Sequence, residues 1–126
     1  MFDHISIGVR SLATARAFYD AALAPLNLHC LSDGGEALGY GRETVQLWIG
    51  ISARPVAADL ESGLHFCLAA SDRVSVDASH AAALAHGGHD NGKPGLRSDY
   101  GPHFYAAFVL DPDGYRWEAY CGVACG

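Results

Sequence analysis

The sequence predicts an α+β domain made of two tandem modules, each with a strand, a helix and then two or three further strands. Two observations support this fold class. Short stretches that alternate between apolar and polar residues flank Ala-rich stretches with helical spacing. The same order also occurs twice, each time over about 60 residues. We therefore expect a single domain with modules at about residues 1–58 and 60–126.

The first module begins with residues 3–9 (DHISIGV), whose alternation predicts a half-buried strand. The Ala-rich stretch SLATARAFYDAALAPL predicts a helix that is capped by Ser11 and ended by Pro25. Residues 27–33 and the end of DGGEALGY are expected to form short strands. The stretch ETVQLWIGIS alternates again and predicts the last strand, and ARPVAADLES indicates a linker.

The second module repeats this order. GLHFCLAAS predicts a strand, and SDRVSVDASHAAALAHGG predicts a helix with Ser71 or Asp72 as N-cap and Gly87 after its end. Residues 89–102 (HDNGKPGLRSDYGP) are rich in Gly and Pro, which favours a long loop with room for one short strand. HFYAAFVL and YRWEAY predict a closing hairpin around the turn sequence DPDG.

The composition excludes several classes of protein. Half of the 126 residues are hydrophobic, 17% are charged and the formal net charge is −6, so a folded domain is expected and nucleic acid or an acidic membrane surface is a poor partner. The four cysteines form no Cys-x-x-Cys pair. The first residues do not resemble a signal peptide, and no apolar run reaches membrane-spanning length. We expect a cytoplasmic protein with reduced thiols and a small-molecule substrate.

Four predicted strands each carry one polar side chain on the face away from their aliphatic residues: His4, Gln46, His65 and Glu118. The two histidines lie in the first strand of their modules, and the other two residues lie in the last. If the modules fold alike and pair about a pseudo-twofold axis, the four side chains converge. Such a nitrogen and oxygen set suits a divalent ion such as Zn, Ni, Co, Mn or Fe(II), which would compensate a buried Glu118.

Each of these residues also has a plainer interpretation. A lone histidine is usually an ordinary half-buried residue, and Gln46 could be a polar spacer beside a three-ligand site. Glu118 could pair with Arg116, which lies on the same face of its strand. The matching positions of His4 and His65 in the two modules, together with Glu118, favour the metal interpretation.

Five further residues are candidates for contacts with a substrate. Trp48 lies on the polar face of its strand and is either a cleft wall or part of the core. Tyr105 either lines the cleft or carries a structural hydroxyl. Lys93, Arg97 and Tyr100 lie in the predicted long loop, where binding residues and lids often occur, although exposed loop residues without a function are the alternative.

The sequence resembles the vicinal oxygen chelate superfamily, also called the glyoxalase/bleomycin-resistance/dioxygenase superfamily, over nearly its whole length. DHISIGVRSLATARAFYDAAL resembles the opening strand and helix, and DPDGYRWEAY resembles the closing signature. The resemblance implies βαβββ modules whose mixed, curved sheets form a half-barrel cleft, as in glyoxalase and dihydroxybiphenyl dioxygenase. It also implies metal ligands from the first and last strands of the modules, onto which His4, Gln46, His65 and Glu118 fall.

Members of the superfamily differ in their ligands. The set His4, Gln46, His65 and Glu118 is similar to that of methylmalonyl-CoA epimerases, although the compact loops here leave little room for a coenzyme A arm. Glyoxalase I enzymes more often have Glu in place of Gln46. Fosfomycin-inactivating members and extradiol dioxygenases use only the other three ligands. Phe108 departs from the extradiol pattern, which usually has Tyr three residues before the Asp-Pro.

The resemblance implies a divalent-metal-dependent enzyme on a small oxygenated substrate, with lyase, isomerase or dioxygenase chemistry through a stabilised enolate or alkoxide. Glu118 is then the general base as well as a metal ligand. A homodimer is expected, in which His4 and Gln46 of one chain meet His65 and Glu118 of the other, unless both modules of one chain close on each other. The alternatives are a metal-free drug-binding protein of the bleomycin-resistance type and a structural module with vestigial sites.

Overall fold

The computed structural model describes residues 1–56 and 59–124, which form two mixed four-stranded sheets and two α-helices in the order βαβββ, repeated once. The first module comprises β1 (Ile5–Val9), α1 (Leu12–Leu23), a 3₁₀ turn (Ala24–Leu26), β2 (His29–Asp33), β3 (Ala37–Gly41) and β4 (Val45–Ile51). The second comprises β5 (Phe66–Ala69), α2 (Arg73–Ala85), β6 (His89–Leu96), β7 (Tyr105–Leu110) and β8 (Arg116–Cys121). The fold class predicted from the sequence is confirmed.

The two sheets have the same strand arrangement. Their strand orders are β1-β4-β3-β2 and β5-β8-β7-β6, so the first and last strands of each module are parallel neighbours and the other pairs are antiparallel. Within the described residues the sheets are not hydrogen-bonded to each other and no barrel closes. The strands β1 and β5 therefore each remain at the edge of a sheet.

The two helices lie between the sheets. Helix α1 packs against β2, β3 and β4, helix α2 packs against β6, β7 and β8, and the helices pack against each other. The Ser79 hydroxyl of α2 donates to the Ala22 carbonyl of α1 across 2.7 Å. Helices thus cover one face of each sheet, and the other face of each sheet is turned away from them.

Local sequence explains where the helices begin and end. The Ser11 hydroxyl accepts from the Thr14 N–H at 3.2 Å, as predicted, and caps α1. The cap of α2 is Asp72 rather than Ser71, because the Asp72 carboxylate accepts from the Ser75 N–H at 2.7 Å. Gly87 follows α2 with φ of 99°, a left-handed conformation that glycine adopts without strain. No helix in the described residues is long and apolar enough to cross a bilayer.

One predicted loop is largely a strand. The sequence predicts a long loop with room for one short strand over residues 89–102, yet β6 takes the first eight of them and pairs with β7 through two register shifts on either side of Gly92. Because β6 is the outer strand of its sheet, Pro94 disrupts no central ladder there. The predicted linker has no helix or strand in its described residues, and Ala57, Ala58 and Cys125 lie outside the described residues.

A buried polar network joins α1 to the turn before β8. Asp111 is 1% exposed, and its carboxylate accepts from the Tyr19 hydroxyl and from the N–H groups of Asp113 at 2.9 Å and Tyr115 at 2.8 Å. The Trp117 indole donates to the Tyr19 oxygen at 3.0 Å. Burial raises the pKa of the Asp111 carboxyl, although its hydrogen bonds favour the ionised form. The network connects the first module to the second through groups with no access to water.

Replacing Asp111 with Asn tests this network. Because the folded-state pKa of Asp111 is raised above its ordinary 3.8, the stability that this group contributes is present below pH 3.8 and is lost as pH rises through the raised pKa. Asparagine cannot ionise, so Asp111→Asn should be least stable relative to the parent near pH 4 and should approach it as pH rises to 7. Urea denaturation across this range measures the difference, with exposed Asp99→Asn as control. A difference that is independent of pH would contradict the expectation.

Candidate functional site

The outward face of the second sheet holds an open pocket of about 400 Å³. Its lining residues are His65, Tyr100, Phe104, Phe108 and Glu118. They come from the residue before β5, from β7 and β8, and from the connection between β6 and β7. The pocket therefore depends on the order β5-β8-β7-β6, which makes neighbours of strands that are distant in the chain.

Glu118 lies in this pocket because of the alternation along β8. Trp117 and Ala119 point toward the helices, so Glu118 between them points outward. The register places Cys67 of β5 on one side of Glu118 and Phe108 of β7 on the other. These neighbours leave the Glu118 side chain only 6% exposed, although it lies on the outward face.

His65 is the hydrogen-bonding partner of this carboxylate. Its Nε2 atom lies 3.0 Å from the Glu118 Oε1 atom, and its own side chain is 42% exposed. Arg116, the alternative partner considered from the sequence, instead donates to the Leu60 carbonyl at 3.0 Å. The site thus combines a buried carboxylate with an imidazole that reaches solvent.

Cys67 is a third polar group at this place, and the sequence analysis missed it. Burial first, and then the negative charge of Glu118, raise the pKa of the Cys67 thiol to about 12. The group is therefore a thiol at neutral pH and a poor nucleophile. Its position two residues after His65, on the same face of β5, is the pattern that could have identified it.

His4 and Gln46 lie apart from this pocket, on the first module. The His4 Nδ1 atom lies 2.7 Å from the exposed Asp3 carboxylate, and Gln46 is exposed on β4. Among the residues that the structure describes, no three His, Cys, Asp or Glu side chains are close enough to hold a metal ion. Within one chain the structure brings together His65 and Glu118, and it leaves His4 and Gln46 on the other sheet.

The strand registers show which residues of the two modules correspond. We call His4 with Gln46, and His65 with Glu118, the two half-sites. The sequence placed His4 and His65 in the first strand of their modules, and in the structure each lies one residue before that strand. However, Cys67 lies opposite Glu118, and the corresponding pair in the first module is Ser6 and Trp48. The counterpart of Glu118 is therefore Trp48, which lies partly buried on the outward face of the first sheet, and Gln46 lies two residues earlier.

Tyr105 does not line the pocket. Its hydroxyl donates to the Asp77 carboxylate of α2 at 2.6 Å, and the Arg73 guanidinium lies 5.2 Å from the centre of its ring. The side chain therefore faces the helices, which agrees with the structural alternative for this hydroxyl. The alternation of β7 places the neighbouring Phe104 and Phe108 on the opposite, outward face, and these two pocket residues were not among the predicted contacts.

The three predicted loop residues lie near one end of the pocket to different degrees. Tyr100 lines it directly. The Arg97 guanidinium lies 5.4 Å from the centre of the Phe108 ring and donates to the Lys93 carbonyl at 2.6 Å. The Lys93 side chain is exposed on β6. The structure thus places Tyr100 in the pocket, Arg97 against the pocket residue Phe108, and Lys93 next to Arg97.

Comparison with known proteins agrees with this architecture. The family model described as the Glyoxalase/Bleomycin resistance protein/Dioxygenase superfamily matches residues 1–119. The crystal structure of a glyoxalase/bleomycin resistance protein from Albidiferax ferrireducens T118 is 29% identical, with a TM-score of 0.83 over 96% of this chain and 98% of that one. No curated protein matches the sequence.

Two more distant structures share the fold. A glyoxalase-related enzyme from Fulvimarina pelagi is 17% identical, with a TM-score of 0.74 over 96% of this chain and 87% of that one. A genomically encoded fosfomycin resistance protein from Listeria monocytogenes is 14% identical, with a TM-score of 0.72 over 98% of this chain and 94% of that one. At such identities the likeness concerns the fold alone.

Alkylation of Cys67 tests the electrostatics of the site. Because the pKa of the Cys67 thiol is raised above its ordinary 9.0, this exposed thiol should form less thiolate at neutral pH than a free cysteine does. We expect slow labelling of Cys67 by iodoacetamide at pH 7, followed by peptide mass spectrometry, and faster labelling in Glu118→Gln. Exposed Glu43→Gln is the matched control and should change nothing. Labelling of Cys67 in the parent as fast as a free thiol would show that Glu118 does not act on it.

Proposed function

We propose, from the premise that the chain belongs to the glyoxalase/bleomycin resistance protein/dioxygenase superfamily, that this protein is a divalent-metal-dependent enzyme acting on a small oxygenated molecule. The observation that carries the proposal is the buried Glu118 carboxylate, paired with His65 at the floor of an open pocket. A buried carboxylate with so few partners is costly in a protein that has no use for it.

The two donors fit a metal ion. An imidazole nitrogen and a carboxylate oxygen 3.0 Å apart have the spacing of two ligands that share one ion at about 2.0–2.2 Å from each. A cation would also compensate the negative charge of the Glu118 carboxylate, which is almost fully buried. Two ligands are too few for a stable site, so at least one more donor is required.

His4 of a second copy is the donor that we propose. Its Nδ1 atom is engaged by Asp3, which leaves Nε2 available, and this is how many metal-binding histidines are oriented. Because His4 lies before β1 of the first sheet and is not grouped with His65 and Glu118 of the second within the described residues, we expect another copy to bring His4 to them. The half-sites therefore imply a homodimer with two equivalent sites.

The surroundings of the half-sites support this dimer. Phe2 near His4 and Leu64 beside His65 are both exposed apolar side chains. The strands β1 and β5 are edge strands, whose free backbone groups can pair with another chain. A contact between these edges would bury the apolar residues and bring the two half-sites together.

Gln46 remains a predicted fourth ligand. Its register differs from that of Glu118 by two residues, and Trp48 takes the corresponding position. We therefore expect His4, His65 and Glu118 to contribute most of the affinity for metal. A Gln46→Ala variant shows by metal titration whether the amide adds to it.

The chemistry follows from the groups around the pocket. A divalent ion bound there would polarise oxygen atoms of the substrate as a Lewis acid. Glu118 holds a carboxylate oxygen at the pocket floor, where it can accept a proton from a carbon beside a carbonyl group. Phe104 and Phe108 keep water away from this carboxylate, and protonated Cys67 does not compete as a nucleophile. This combination favours isomerase or lyase chemistry.

Metal titration of protein purified without an affinity tag tests the proposal. The parent should take up about one Ni, Zn, Co or Mn ion per chain, and Glu118→Ala and His65→Ala should abolish stoichiometric uptake. Glu43→Ala, which removes an exposed carboxylate, should bind metal as the parent does. Uptake by Glu118→Ala that equals the parent's would refute this site, whereas no uptake by the parent would favour a metal-free small-molecule binding protein.

Mixed dimers test whether the site is shared between chains. His4→Ala and Glu118→Ala should each fail to bind metal alone. After random reassortment of equal amounts, one site in every mixed dimer is intact, so about a quarter of all sites should recover uptake. Mixing His65→Ala with Glu118→Ala is the matched control and should recover none, because both changes fall in the same half-site. Equal results from the two mixtures would exclude the shared site.

A further inference from the structure

The outward face that holds the pocket continues from Glu118 across two more strands, β7 and β6. Phe108 of β7 lies opposite Glu118 on one side and opposite Gly92 of β6 on the other. Neighbouring strands are about 4.8 Å apart, so the outward face above Gly92 lies roughly 10 Å from Glu118. The Phe108 ring stands between these two places.

Two glycines of β6 make room at the far end. A Cβ atom on Gly92 would lie 2.9 Å from Phe108 Cδ2 and 3.4 Å from Arg97 Nη2, and Gly92 has φ of 148°. A Cβ atom on Gly95 would lie 3.2 Å from Arg97 Nη1. The absence of both side chains lets the Arg97 guanidinium fold back over β6 toward the Phe108 ring.

Arg97 carries a charge that no carboxylate neutralises among the described residues. Its Nη2 atom donates to the Lys93 carbonyl, and in the same part of the chain its other N–H groups have no acceptor. The chain as a whole has a net charge of −6, so an anion is attracted only where a local cation outweighs that field. A guanidinium with free N–H donors can bind one carboxylate through two parallel hydrogen bonds.

Between Arg97 and Glu118 the pocket is walled by aromatic rings. The ring centres of Tyr100 and Phe104 are 5.2 Å apart, and the Phe108 ring lies 6.5 Å from that of His65. Flat rings gain most from a flat ligand that can stack or pack edge to face with them. A saturated, puckered ligand of the same size would lose these contacts.

We propose that the substrate class of this site is a planar, conjugated or aromatic monoanion. Its anionic group pairs with Arg97, its flat part packs against Phe104 and Phe108, and its far oxygen atoms point toward His65 and Glu118. Without a metal ion the Glu118 carboxylate repels an anionic group at the other end, which leaves Arg97 as its partner. Only the role of the far oxygen atoms rests on the proposed function.

Three matched small molecules test the proposal by calorimetric titration of the full-length parent protein. They are 4-hydroxybenzoate, its saturated analogue 4-hydroxycyclohexanecarboxylate, and its neutral analogue 4-hydroxybenzamide. The parent should bind the first at least about tenfold more tightly than either of the others, since one lost charge or stacking contact is of that order. Equal affinity for the flat and the saturated anion would overturn the proposal.

Variants locate the anion. Arg97→Gln should weaken binding of 4-hydroxybenzoate by at least about tenfold and leave 4-hydroxybenzamide within about twofold, whereas Arg97→Lys should keep part of the affinity. Arg54→Gln removes an exposed charge from the other module and should have no effect. An unchanged affinity of Arg97→Gln for the anion would also overturn the proposal.

Metal titration of Arg97→Gln separates this proposal from the function on which it partly rests. If the variant binds metal as the parent does and loses only the anion, both proposals stand. If metal uptake depends on His65 and Glu118 but the parent does not select the flat anion, the substrate class is wrong and the metal site remains. If the parent selects the flat anion through Arg97 but takes up no metal, the substrate class stands and the enzyme proposal fails.

Discussion

The arrangement of this protein depends on the packing of α1 against α2 between the two sheets. The shared core includes Phe18 and Tyr19 of α1 and Val76 of α2, and the buried Tyr19–Asp111 hydrogen bond joins the first module to the turn before β8. Once the helices occupy the middle of the molecule, each sheet can cover only one face. The second face of each sheet must then remain exposed or meet another molecule, and it is on these faces that the polar residues lie.

This constraint explains how a repeated sequence pattern leads to two unlike half-sites. In the second module His65 reaches Glu118, and Cys67 and Phe108 close around the carboxylate. In the first module the position that corresponds to Glu118 holds Trp48, so His4 has no carboxylate there and pairs with its neighbour Asp3. The outward face of the second sheet thus holds the buried charge of Glu118. At the first sheet, His4 keeps its Nε2 atom free because Asp3 engages Nδ1. Two copies related by a twofold axis would satisfy both needs at once.

The outward face of the second sheet also shows how small residues position large ones. Gly92 and Gly95 lie on an edge strand, where irregular backbone does little damage to the sheet. Their missing side chains allow Arg97 to lie over Phe108, and Phe108 in turn shields Glu118 from water. The Phe108 ring therefore lies beside both the Arg97 guanidinium and the Glu118 carboxylate.

The sequence by itself determined the element order, the Ser11 cap and the faces on which His65 and Glu118 lie, because alternation and capping are local properties of neighbouring residues. It predicted a long loop with room for one short strand where the eight-residue β6 forms, since the stability of a Gly- and Pro-containing edge strand comes from β7 rather than from its own residues. It left open whether Tyr105 lines the cleft or carries a structural hydroxyl, and in the structure Asp77 of α2 holds that hydroxyl on the helix side. Only the tertiary structure decided that His65 meets Glu118 while His4 stays with Asp3 at the other sheet, because the pairing of distant strands sets which side chains become neighbours.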